Sequence, residues 1–174
     1  MKKAGTIFLL LACCMILSGC GKMEYKTGME HLKSGEYEAA VEQFEKAIDE
    51  ERNIGDSYCG IALAKWEMKD YEGTIEAFQS ALENGSEETG AIDNILGVCK
   101  MQLGDYKGAL ETYEKGIQKE DCTEEMLREM KFNIIAIYEK LEDWETAKAK
   151  LAEYVSEYPD DAQAAKEAEF FSTR

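Results

Sequence analysis

Along the chain, apolar residues recur with the period of an α-helix, and the pattern restarts four times. Each restart places an aromatic residue directly after an acidic one: Ser34-Gly35-Glu36-Tyr37, Met68-Lys69-Asp70-Tyr71, Leu103-Gly104-Asp105-Tyr106 and Leu141-Glu142-Asp143-Trp144. The aromatics lie 34, 35 and 38 residues apart. From each of them the pattern runs at +3, +4, +7, +10 and +11, positions that share one helix face. The first copy reads Tyr37, Ala40, Val41, Phe44, Ala47 and Ile48, and the second Tyr71, Thr74, Ile75, Phe78, Ala81 and Leu82. The third reads Tyr106, Ala109, Leu110, Tyr113, Gly116 and Ile117, and the fourth Trp144, Ala147, Lys148, Leu151, Tyr154 and Val155. Only Thr74, Gly116 and Lys148 break the rule, so 21 of 24 positions are apolar, where a chain 45% apolar would give about 11 by chance.

A second helical pattern precedes each aromatic and runs to Lys33, Glu67, Gln102 and Lys140. The repeating unit is therefore a helix, a tight turn that Gly35 and Gly104 permit, and a second helix whose start carries an acidic residue suited to its dipole. Additional residues fall between units, near Asn84-Gly85-Ser86 and near Asp121-Cys122-Thr123-Glu124, the latter reading as a capping box. Beyond Pro159, Ala164, Ala168 and Phe171 stand at helical spacing. They predict a short helix covering the last unit, with Phe171 or its neighbour Phe170 as the buried anchor.

A helix-turn-helix unit of this length and pattern resembles the tetratricopeptide repeat (TPR) family. The family's Leu-Gly pair in the first helix is matched by Leu96-Gly97, and its glycine alone by Gly28. Its Ala-x-x-x-Phe in the second helix is matched by Ala40/Phe44 and, in softened form, by Thr74/Phe78, Ala109/Tyr113 and Ala147/Leu151. Pro159 stands at the family's late proline. The departures are a missing early tryptophan, Ala62 and Ile135 in place of the first-helix glycine, and proline in one unit only. The resemblance implies an all-α solenoid of about four repeats over residues 23–160, closed by a capping helix at 161–174. It also implies a concave binding surface lined by the first helices, on or near which the family positions fall at Tyr25, Met29, Trp66, Asn94, Met101 and Phe132. Each of these also suits packing between repeats. Tyr25 and Met29 stand where the family's carboxylate clamp needs Lys and Asn, which excludes that specificity.

The N-terminal segment belongs to a different pattern. Lys2 and Lys3 precede an unbroken apolar run, Ile7 to Leu17, and small residues Ser18 and Gly19 lead to Cys20. This order is that of a cleavable secretory leader over residues 1–19. Its 11 apolar residues fall short of the roughly 20 that a spanning helix needs. Leu17-Ser18-Gly19-Cys20 resembles the bacterial lipobox, which implies a diacylglyceryl group on the Cys20 sulfur and a short tether at 20–22. Gly21 in place of Asp argues, by the same resemblance, against inner-membrane retention. The expected location is the outer leaflet of the plasma membrane, or the periplasm where there are two membranes.

Charge narrows the partners. Without Lys2 and Lys3, 18 basic residues face 36 acidic ones, which disfavours nucleic acid and anionic lipid. A protein or peptide partner with basic patches is expected; so acidic a surface also serves solubility. Beyond Cys20, Cys59, Cys99 and Cys122 are odd in number, irregularly spaced and without CxxC, so neither a disulfide framework nor a zinc site is expected. Cys59 and Cys99 fall in apolar helical patterns, whereas Cys122 sits in a polar loop, where it should be the reactive thiol. His31 is the single histidine, and no phosphate-cradling loop or nucleophile motif occurs, so neither a catalytic residue nor a cofactor is expected. The leading expectation is a membrane-anchored interaction scaffold or adaptor. The alternatives are a pilotin-like assembly factor for an envelope complex and, third, a lipid-anchored enzyme of unrecognised type.

Overall fold

The computed structural model describes residues 23–172. The leader, Cys20 and its tether lie outside the described residues, as do the final two residues of the expected cap. Among the described residues there are nine α-helices and no strand. They are α1 (Met23–Ser34), α2 (Tyr37–Asp49), α3 (Ile54–Glu67), α4 (Tyr71–Glu83), α5 (Gly90–Gln102), α6 (Tyr106–Gly116), α7 (Glu124–Lys140), α8 (Trp144–Glu157) and α9 (Ala162–Ser172). The four aromatics that mark the restarts each open the second helix of a pair. The chain divides into two compact units, one through Glu88 and one from Thr89.

One joint, used four times, makes the pairs. At the end of α1, Gly35 N donates to Leu32 O at 3.2 Å and Glu36 N to His31 O at 2.9 Å. The same two bonds close α3 at Lys69 and Asp70, α5 at Gly104 and Asp105, and α7 at Glu142 and Asp143. This arrangement satisfies the last carbonyls of a helix and needs one residue in the left-handed region. Gly35 (φ +77°) and Gly104 (φ +79°) take it easily, while Lys69 (φ +61°) and Glu142 (φ +60°) take it against the Cβ. The next residue caps the following helix. Asp70, Asp105 and Asp143 accept from the backbone N–H of Gly73, Gly108 and Thr146 at 3.0 to 3.1 Å. Glu36, one methylene longer, makes no such cap, and its carboxylate instead meets His31 Nδ1.

In the first unit the core forms where α2 meets α1 and α3. Phe44 is fully buried, with Ala40 and Ala47 beside it, and its ring lies against the backbone at Gly28 of α1 and Gly60 of α3. A Cβ on Gly60 would come within 2.4 Å of that ring, so the small residue is what lets the two helices close on it. Phe78 fills the corresponding place in α4. Thr74, polar among the small residues at +3, is fully buried because its hydroxyl donates to Asp70 O at 2.7 Å.

In the second unit Tyr113 of α6 presses on Gly97 of α5 in the same way. Its hydroxyl is satisfied within the unit, accepting from Asn133 Nδ2 at 3.0 Å and facing Met101 Sδ at 3.6 Å. Thr123 caps α7, accepting from Met126 N at 3.2 Å. Residue Met126 stands where a full capping box would carry Glu, so only the threonine half of the expected box exists.

The terminal helix α9 covers the last pair. Ile135, Leu151, Tyr154, Tyr158 and Ala164 form one buried cluster, with Phe132, Val155, Ala168 and Phe171 packed at its margin. The anchor differs from the sequence expectation: Ala164 is fully buried, Phe171 is half-buried beside Trp144 (ring centroids 6.2 Å), and Phe170 is 51% exposed. Ala164, Ala168 and Phe171 share a stripe at i, i+4 and i+7, whereas Phe170 is rotated by roughly 100° from its neighbour.

Candidate partner-binding surface

The residues Glu125, Arg128, Glu129 and Phe132 recur at i, i+3, i+4 and i+7 and so share one face of α7. Tyr154 of α8 and residues Asp161 and Gln163 at the start of α9 complete an open depression of ≈ 310 Å³ in the second unit. Its floor is aromatic: the Phe132 and Tyr154 rings sit 5.4 Å apart, tilted by 58°. One wall is fixed by Asp161. Its Oδ2 accepts from the Tyr154 hydroxyl at 2.9 Å, and its Oδ1 accepts from Gln163 N and Ala164 N at 3.1 Å. The backbone N–H of Ala164 and then the Tyr154 hydroxyl hold the Asp161 carboxyl below the usual carboxylate range. Burial and the same bond push the Tyr154 phenol up to about 12.

The single cation of the lining is already engaged. Arg128 forks onto Asp160 with two bonds of 3.2 Å and stacks over the Tyr158 ring at 4.6 Å. Lys131, just outside, donates to Glu157 at 2.6 Å. Glu129 accepts from Asn94 Nδ2 of α5 at 3.1 Å, and Glu125 is an exposed carboxylate in the first turn of α7.

The six groove positions named from the sequence divide between the two units. In the first, Met29 is buried, Tyr25 packs on Phe44 (centroids 5.7 Å), and half-buried Trp66 packs on Tyr71 (6.0 Å). In the second, Asn94 is buried and half-buried Met101 faces the Tyr113 hydroxyl, while Phe132 floors the depression. Asn94 and Phe132 come together through Glu129, which bonds the first and shares the α7 face of the second. The sequence pattern did not single out Glu125, Arg128, Glu129, Asp161 or Gln163. The i, i+3, i+4, i+7 spacing on α7 was the available signal.

Cys122 departs from its expected reactivity. It is half-buried, its Sγ donates to Gly116 O at 3.2 Å, and burial, with Asp121 next, pushes the thiol up. A raised thiol carries less thiolate and reacts more slowly. Cys59 and Cys99 are buried within α3 and α5 as the apolar pattern suggested. Among the described residues, no group of three or more His, Cys, Asp or Glu side chains is placed to hold a metal ion. No helix among them is long and apolar enough to cross a membrane.

Family models described as tetratricopeptide repeat match residues 25–54, 59–121 and 131–161, which together take in the four helix pairs. The chain belongs to the tetratricopeptide-repeat family. A similar solved structure is the crystal structure of a thermophilic TPR protein in Thermus thermophilus, 14% identical, covering 87% of this chain and 98% of that one, with a TM-score of 0.42. No curated protein matches the chain. TPR units are in general protein-interaction modules, and among its described residues this TPR chain is all-α in the family's manner.

Proposed function

We propose that this TPR protein is a lipid-anchored scaffold or adaptor, without catalytic activity of its own, that docks a basic protein or peptide outside the cytoplasmic membrane. The observation that carries the reading is the joining of two sequence features. Leu17-Ser18-Gly19-Cys20 ends an apolar leader, and the first TPR helix begins at Met23, three residues later. Two acyl chains on Cys20 would hold the protein stably, since each buried methylene contributes about 0.8 kcal/mol. So short a tether would keep the repeats near the bilayer. The excess of acidic residues, 36 against 20 basic in the full chain, favours a basic partner over anionic headgroups.

The test compares wild type with Cys20→Ala in intact cells, by radioactive palmitate labelling and by chemical crosslinking with identification of the captured protein. Label is expected in the wild type alone, with a discrete crosslinked partner whose yield falls in the variant. Equal labelling would remove the anchor. A wild type that captures no protein at all would remove the scaffold.

A further inference from the structure

The depression at the end of the second unit has a chemistry of its own. Three of its seven lining residues are carboxylates, Glu125, Glu129 and Asp161, against the one guanidinium of Arg128. Arg128 is held by Asp160 and the Tyr158 ring, so its charge is answered before any ligand arrives. Asp161 is committed to the start of α9 and to Tyr154, which leaves Glu125 and Glu129 as the carboxylates turned to other use. Glu129 is oriented by Asn94, a buried side chain whose Oδ1 has no hydrogen-bond partner in the structure. The tilted pair of Phe132 and Tyr154 lies deeper than these carboxylates: Tyr154 is buried and Phe132 half-buried, whereas Glu125 and Glu129 are exposed.

We infer that this depression is a subsite for one cationic side chain, lysine or arginine, of an extended peptide. The inference rests on the scaffold reading and specifies where and by what chemistry a basic partner is held. The size fits: ≈ 310 Å³ lies at the lower end of small-ligand sites, enough for one side chain and not for a large cofactor. The order of groups fits as well. A long aliphatic stem lies on the aromatic floor while its charged tip reaches Glu125 and Glu129 at the rim, which is how such side chains divide between apolar and polar surroundings. An anionic residue is repelled by the same rim. An apolar one leaves the carboxylates without a partner and so gains no hold at this rim.

The experiment uses the full 174-residue chain, isotope-labelled for NMR, and three probes. These are acetyl-Ala-Lys-Ala-Lys-Ala-amide and its counterparts with norleucine or glutamate in place of lysine. The lysine peptide is expected to shift signals of residues 125–132, of Tyr154 and of 161–163, and the other two are expected to leave them unmoved. Glu125→Gln with Glu129→Gln should weaken the lysine peptide by about fivefold or more, since both ion pairs at the rim are lost together. The side-chain amide introduced at position 129 can still accept from Asn94, so unchanged signals elsewhere certify the fold of that variant. Glu76→Gln, exposed on α4 in the other unit, should change affinity less than about twofold. Shifts spread over the whole acidic surface, or equal losses from Glu76→Gln and the double variant, overturn the site in favour of general charge attraction. Lysine-peptide shifts confined to another part of the chain also overturn it, while leaving the scaffold standing. A scaffold that captures no partner in cells fails by that separate measurement, whatever the peptide does.

Discussion

Gly60→Ala tests the packing that closes the first unit. A Cβ at residue 60 would stand 2.4, 2.5 and 2.7 Å from three ring atoms of Phe44. The ring has no room to retreat. Phe44 is fully buried, Tyr25 packs upon it, and a Cβ added at Gly28 would also stand only 2.8 Å from it. Overpacking of this kind costs about 1–3 kcal/mol, and contact with a rigid ring puts this case at the upper end. Replacing Gly by Ala inside a helix returns about 1 kcal/mol in propensity. The expected net loss is about 2 kcal/mol. Denaturant unfolding followed by Trp66 fluorescence, in a Trp144→Phe background, reads the first unit alone. Phe44→Leu should relieve the clash, so the double variant should be more stable than the two single losses added together predict. A Gly60→Ala variant that gains about 1 kcal/mol, as propensity alone dictates, would refute the close approach.

Two further outcomes follow from the joints and from the cap. Lys69→Gly removes a Cβ from a left-handed residue and should stabilise by about 0.5–1 kcal/mol, whereas Gly104→Ala at the same place in another repeat should destabilise by about 1 kcal/mol; thermal melts that reverse the signs refute the shared joint. Burial, and next the carboxylate of Glu167, raise the Glu139 pKa, and Glu139 Oε1 is buried without a hydrogen-bond partner. A raised acid contributes stability that is full below its unfolded pKa, about 4.3, and lost as pH rises through the folded value. Glu139→Gln should therefore raise the melting temperature at about pH 7 and make no difference near pH 3.5; an equal or lower melt at neutral pH refutes the burden.

The helix pairs could be read from the sequence because every copy carries the same local chemistry. An aromatic after an acidic residue marks the start of the second helix in all four pairs, and in three joints of four the acid is an aspartate that caps the backbone. Small residues at +3 and a large one at +7 encode the close approach directly, as Ala40 with Phe44 and Ala109 with Tyr113 show. Other features depend on partners distant in sequence and left no local mark. Gly60 looks like an ordinary helix-weakening residue until Phe44, sixteen positions earlier, is brought against it. The loop thiol of Cys122 looks exposed until it is folded onto Gly116. Ala164 is too small to read as an anchor, yet it is the fully buried residue of α9, because a helix covering a flat apolar end must come close to it.

The depression was hidden for a related reason. Glu125 and Glu129, two of many glutamates at helical spacing in an acidic chain, read as a solvated face. Their meaning changes only when α8 and α9 supply the rest. Tyr154 stands where the other three repeats carry Ala47, Ala81 and Gly116, and its bulk has a physical use: its ring floors the depression beside Phe132, and its hydroxyl fixes the Asp161 cap. The terminal helix thus does two jobs with one residue. Asp161 starts the helix that covers the apolar end of the repeats, and the same carboxylate lines the depression and holds the Tyr154 hydroxyl. A change that loosens α9 should accordingly disturb the acidic depression before it disturbs the packing of α5 on α6, because Asp161 and Gln163 line the first and take no part in the second.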